Sequence, residues 1–211
     1  MYKETDKYIS KLKKVLKREY QQMGLVGWDE LNVIRVRKRT KSLFRRIDDM
    51  NRKAYRHICK YVEDLLLYEF LDDLDDLERK PSPTKVVEKS LWSYNPVTGY
   101  LYDKEWERKR LRMVEEIMTA ATIQDRERYL KSLKRTFDLM FTQSSQYAQD
   151  VADTMETEVY KAASIPRVMW VTERDNRVCE ECRERDGKIY PLDNVPPKPH
   201  YHCRCRIKPI R

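Results

Sequence analysis

The chain has 211 residues, 37% of them charged and 40% hydrophobic, with only 4 glycines; this suits long helices with one small appended unit and leaves no glycine-rich phosphate loop. Its 44 Lys and Arg against 35 Asp and Glu give a net charge of +9. No apolar run approaches the ~20 residues of a membrane span, since stretches such as Leu65–Leu67 are broken by charges within a turn.

The periodicity predicts a first helix from Lys3 to Gln22, with Tyr8, Ile9, Leu12, Val15, Leu16 and Tyr20 recurring at spacings of three and four. Gly24 and Gly27 end it. Asp29 caps a second, unusually long helix, with room for one break, whose apolar series Val33, Ile34, Val36, Leu43, Phe44, Ile47, Met50, Tyr55, Ile58 and Val62 continues to Leu74. His57 and Cys59 lie on it as packing or solvent-facing residues. The acidic run Asp72–Asp76 closes the pattern and Pro81-Ser82-Pro83 stops it. Between Trp92 and Tyr102, Asn95-Pro96 and Gly99 read as a turn between aromatic flanks. Three helical stretches follow near 103–120, 123–141 and 143–163, with apolar faces from Met113, Ile117, Leu130, Leu133, Phe137, Tyr147, Val151 and Met155. Pro166 separates them from Val168–Thr172, an alternating run rich in β formers.

Charge is unevenly spread. Residues 1–60 carry 18 basic against 7 acidic side chains, residues 61–80 carry 2 against 8, residues 81–165 balance at 13 each, and residues 166–211 carry 11 against 7. The pattern divides the chain into a basic helical arm ending in an acidic patch (1–80), a helical body (84–165) and a small C-terminal module (166–211). In the arm, Lys11, Lys13, Lys14, Lys17, Arg18, Arg35, Arg37, Lys38, Arg39, Lys41, Arg45 and Arg46 are the expected contacts to nucleic acid or to an acidic protein surface, because counterion release rewards either. A merely solvated helix face is the plain alternative.

Four of the 5 cysteines fall in the last 33 residues, as Cys179-x-x-Cys182 followed by His200-Tyr201-His202-Cys203-Arg204-Cys205. Thiolates and imidazoles in two short pairs, joined by the Asp186-Gly187 turn and a proline-rich run from Pro191 to Pro199, are the ligands one tetrahedral zinc ion prefers. The first 20 residues are highly charged and hold no apolar core, so no secretory signal is expected, and a reducing compartment favours metal over disulfides. Cys179, Cys182 and His200 supply three ligands, with Cys203 or Cys205 as the fourth and His202 as a spare donor. A surplus of ligands closes the shell, which points to a structural ion. Glu180, Glu181 and Glu184 resemble a general base beside the metal only in proximity, since hydrolysis needs an open coordination position. No catalytic residue and no enzyme activity are expected.

The strand, the Val178-Cys179-x-x-Cys182 run, the Asp186-Gly187 turn and the terminal His200-x-x-Cys203-Arg204-Cys205 together resemble the C-terminal domain of phage head morphogenesis proteins of the Mu F-like type, also called minor head proteins. The resemblance covers Ile165 to Pro209, about a fifth of the chain, and Thr157-Glu158 before a small-residue run is similar to the family's helical part. The family usually has proline and asparagine where this chain has Tyr201 and His202, which keeps the ligand spacing. Some relatives carry a toxin or transferase domain after the zinc module; Arg211 falls six residues past Cys205, so none is expected.

The resemblance implies a virion protein made in the bacterial host cytoplasm and residing inside the capsid near the portal. Its implied partners are the portal protein, the major capsid or scaffolding protein, and packaged DNA bound without sequence preference. Its implied role is head assembly with DNA packaging or delivery. A stand-alone nucleic-acid-binding zinc regulator is the alternative. Against it, acids and bases interleave along Glu180–Asp186, and Trp170, Tyr190 and Tyr201 suit the module's own core. The expected fold is mainly α: an extended body of long amphipathic helices plus a small C-terminal α+β, hairpin-type module stapled by zinc.

Overall fold

A computed structural model describes residues 3–25, 33–69 and 102–210 of the chain, leaving aside the side chains of 66–69 and 102–107. The Asp29 cap, the acidic run, the Pro81–Pro83 stop and the aromatic turn up to residue 101 lie outside the described residues.

Four long helices form the body. Helix α1 (Lys3–Gly24) opens with Glu4 and Asp6, whose charges suit the positive end of the helix dipole. It buries Thr5, Tyr8, Leu12, Leu16, Glu19 and Met23, a stripe at steps of three and four. Helix α2 (Val33–Glu69) lies antiparallel to it. The Tyr8 hydroxyl donates to Asn51 near one end, while Arg46 reaches Glu19 at 2.8 Å near the other. Val36, Leu43, Phe44, Ile47, Tyr55, Ile58 and Val62 are buried as the periodicity predicts, and Cys59 is buried with them. Ile34 is 77% exposed, because it falls a residue off that stripe.

Helices α3 (Tyr102–Thr122) and α4 (Arg126–Ala162) are joined by a tight turn in which Gln124 takes a left-handed φ of 54°. Asp125 then caps α4, its side chain accepting from the Arg128 N–H at 2.9 Å. Helix α4 runs unbroken for 37 residues, where the sequence pattern predicts two helices meeting near 142. The polar cluster that interrupts the apolar pattern is buried without breaking the helix: Ser145 bonds back to the Phe141 carbonyl at 2.7 Å, and Gln146 donates to Asp150 at 2.7 Å. Neither glycine nor proline stands there to force a stop.

All four helices share one apolar core, with Leu12, Ile47, Ile117, Leu133 and Met155 at its centre, and α4 packs against each of the other three. The basic faces of α1 and α2 are therefore outer faces of this body. Two ion-pair contacts reinforce the packing: Asp48 of α2 takes both guanidinium nitrogens of Arg110 of α3 at 2.6 and 2.8 Å.

The C-terminal module follows as β1 (Arg167–Val171), α5 (Glu180–Arg185), β2 (Ile189–Pro191), a 3-10 turn (Leu192–Asn194) and β3 (Arg206–Ile210). The three strands form an antiparallel sheet in the order β2-β1-β3, with Val168 opposite both Tyr190 and Pro209. Strand β3 extends the expected hairpin to three strands. Its Pro209 is accommodated because β3 is an edge. Gly187 turns the chain from α5 into β2 at φ 78°, a region open to glycine, and its N–H donates to the Trp170 carbonyl at 2.8 Å. The described part of the chain is thus mainly helical with one small β module, and no described helix is long and apolar enough to cross a membrane.

Because Leu133 is fully buried, Leu133→Ala is expected to lower the unfolding free energy by about 2–5 kcal/mol. Asp125→Ala, which removes only the α4 cap, is expected to lower it by about 1 kcal/mol. Denaturant midpoints measure both.

Candidate metal centre

The module cannot build a conventional core. Its buried cluster consists of Trp170, Cys182, Cys203 and Cys205, with Val178, Cys179 and Tyr190 packed partly against it. Three of those four fully buried members carry thiols, so the interior of the module is also its cluster of metal-ligating groups.

Local structure places each donor. Cys179 is the N-cap of α5, its Sγ accepting from the Cys182 N–H at 3.4 Å. The next turn of backbone brings Cys182 inward, at 1% exposure. From the other side, the segment before β3 delivers His200, Cys203 and Cys205. Two overlapping triplets result, Cys179-Cys182-His200 and Cys182-Cys203-Cys205, each with its ligand atoms mutually within 4.8 Å. Cys182 belongs to both, with Cys203 Sγ at 3.4 Å and His200 Nε2 at 3.8 Å from its sulfur. The structure therefore brings all five expected donors to one place. His202 joins neither triplet.

The electrostatics fit a cation here. Burial pushes the Cys182 thiol up to about 12, while a hydrogen bond from Cys205 pulls Cys203 down to about 5. That same bond, with burial, pushes Cys205 up. Three thiols packed this closely oppose one another's ionisation, and a divalent cation would remove that obstacle. The imidazole is oriented to match. His200 Nδ1–H donates to the Tyr201 carbonyl at 2.9 Å, which leaves Nε2, the atom facing Cys182, as the unprotonated donor.

Helix α4 holds the ligand-bearing segment. The His202 N–H donates to Gln146 Oε1 at 2.7 Å, and Gln149 Nε2 donates to the Cys203 carbonyl, which also accepts from Lys198 at 3.3 Å. Lys198 is in turn paired with Asp153 of the same helix. His202 adopts a left-handed φ of 56°, a conformation in which His, Asn and Asp are enriched among non-glycine residues. Its placement thus reflects backbone shape. Around the knuckles, Arg204 forks onto Asp175 at 2.6 and 2.8 Å and holds its carboxyl well below the usual carboxylate range. Asp186 accepts from the Thr172 N–H and from Arg174, both at 2.9 Å, fixing the turn after α5.

These second partners, Gln146, Gln149, Asp153 and Lys198, escape a sequence reading. Polar residues inside a helical pattern carry no sign of what they bond, and their partners lie 45 to 56 positions away. A cleft of about 540 Å³ beside the centre is lined by Trp170, Leu192, Val195 and Ile207 from the module and by Asp153 and Glu156 from α4. Two of its acids are engaged internally, Asp153 with Lys198 and Glu156 with the Tyr160 hydroxyl.

The expected basic contact residues are distributed over α1 and α2. Lys11, Lys13, Lys14, Lys17 and Arg18 are exposed on α1, as are Arg35, Arg37, Lys38, Lys41, Arg45 and Arg46 on α2. Arg39 is half-buried, reaching Gln22 and Glu19, and together with Arg46 it ties α2 to the buried Glu19 carboxylate. Those two arginines are thus tied into the α1–α2 contact.

The described residues thus form a body of long helices and, docked on α4, a small module that gathers paired Cys and His donors able to hold a metal ion. Residues 110–208 match the family model described as Phage Mu protein F like protein. Over that span, which takes in part of α3, all of α4 and nearly all of the module, the chain is similar to the Mu F-like proteins. No significant match was found to a curated protein or to a solved structure.

Replacing a group that orients a ligand typically weakens metal affinity 10- to 100-fold. Gln149→Ala is therefore expected to weaken metal binding by about tenfold while leaving one ion per chain, as read by chelator competition.

Proposed function

We propose that the chain is a zinc-stapled minor head protein that works at the portal vertex and capsid interior, assisting head assembly and DNA packaging or delivery without catalysing a reaction. The observation that carries this reading is the pairing of a surplus donor set, five Cys and His around one point, with a family match that spans the same module. Thiolate sulfurs bound to one tetrahedral zinc at ~2.3 Å lie about 3.8 Å apart, close to the 3.4 Å sulfur–sulfur and 3.8 Å sulfur–nitrogen separations around Cys182. When bound, the ion supplies cross-linking. Cys179, Cys182 and His200 with Cys203 or Cys205 hold it, and α4 orients the segment that carries the last three.

The exposed basic faces of α1 and α2 support contact with packaged duplex or an acidic portal surface. Their charge is sequence-blind, which suits a wall of phosphates better than readout of a particular site.

Metal analysis of the purified chain is expected to give one zinc per chain. Cys182→Ser should abolish binding, and whichever of Cys203→Ser and Cys205→Ser is the more severe names the fourth ligand. Recovery of metal-free protein with every thiol freely titratable sinks the zinc reading. For DNA, weak binding that falls steeply with salt is expected, and charge reversal at Lys14, Arg37, Lys38 and Lys41 should flatten that slope. A sequence-selective complex that survives moderate salt would favour the regulator instead.

A further inference from the structure

We propose that the seam between α1 and α4 is a docking groove for an acidic amphipathic helix of a partner protein. A groove of about 310 Å³ runs there, floored by Leu16, Tyr20, Phe137 and Phe141 and rimmed by Lys13, Lys17, Lys134 and Asp138. The two helices are antiparallel and in contact along this line, since Tyr20 and Phe137 meet edge to face at 5.6 Å and, further along, the Tyr129 hydroxyl donates to the Met23 carbonyl. Helix α2 packs on the opposite side of both, and among the described residues nothing covers this seam. It is the position at which one more helix would extend the bundle.

The chemistry of floor and rim selects the occupant. Phe137 and Leu16 are 6% and 4% exposed, and the Phe137 ring is engaged edge-on with Tyr20. The floor therefore offers an apolar surface with hollows for branched or aromatic side chains. Lys13, Lys17 and Lys134 are all exposed, and among the described residues none is paired with a carboxylate. Against the single Asp138 they leave the rim with a net charge of +2. A helix that presents apolar residues at i, i+3, i+4 and i+7, flanked by Glu or Asp, matches both features, burying its stripe on the floor and meeting an ammonium on each side.

The test uses the full chain and a labelled 18-residue helical peptide with Leu at those spacings and Glu elsewhere, read by fluorescence anisotropy. Saturable binding is expected. It should weaken at least about tenfold in the triple variant Lys13→Glu, Lys17→Glu, Lys134→Glu, because each reversal replaces an attraction to the peptide's carboxylates with a repulsion. The three positions are exposed, so an unchanged circular dichroism spectrum establishes that this variant is folded. Binding should also be lost when Gln replaces Leu in the peptide or Lys replaces Glu. Four results would overturn the proposal: no binding of the Leu/Glu peptide, equal binding to the triple variant, displacement of the peptide by single-stranded dT20, or sedimentation showing a dimer that the triple variant dissolves. The third would make the groove a nucleic-acid site, and the fourth would make its occupant a second copy of this chain.

Discussion

Two buried amides on α4, Gln146 and Gln149, bond to the backbone at His202 and Cys203, and the C-terminal module depends on that attachment. Its own buried cluster amounts to one tryptophan and three thiols, with Val168 and Leu192 lent to the core of the helical body, which is little apolar surface to offset the entropy of ordering its loops. It survives by being clamped twice, from within by the converging donors and from without by the helix. The two clamps share atoms: the Cys203 carbonyl accepts from Gln149 while the Cys203 thiol faces Cys182. Ligand geometry and helix packing are consequently one problem for this chain, which explains why so many polar side chains of α4 are buried.

Much of this was legible from residue order. The three-four spacing from Tyr8 to Leu16 and from Val36 to Val62 gave the buried faces of α1 and α2, and the two Cys/His pairs announced a shared centre because donor type and spacing are local properties. Two kinds of feature stayed hidden. The continuity of α4 through Thr142–Gln146 was obscured because buried polar residues look like a boundary until their long-range partners are known. Strand β3 was obscured because Arg206-Ile207-Lys208-Pro209-Ile210 is a strand by virtue of pairing with β1, with little intrinsic preference of its own. The proline within it reads as a breaker unless its edge position is known.

Charge plays different parts along the chain. On the module, acids and bases neutralise one another across short loops, as Arg204 does with Asp175 and Arg174 with Asp186, and they set loop shape. At the α1–α2 contact, Arg39 and Arg46 compensate a buried carboxylate. Among the described residues, the outward faces of those helices carry a dense run of exposed basic side chains, well removed along the sequence from the Cys and His donors. The Cys and His centre is therefore separate in sequence from these basic faces.

The unbroken course of α4 has a geometrical consequence. At ~1.5 Å per residue, its 37 residues span about 55 Å, linking the end that packs beneath the C-terminus of α1 to the half that holds the C-terminal module. Such a helix is a ruler as well as a spine: it fixes both the separation and the rotational phase of its two ends. Inserting a single residue in its middle would turn one end about 100° relative to the other, so length variation among relatives should be far better tolerated in the connecting segments than within this helix.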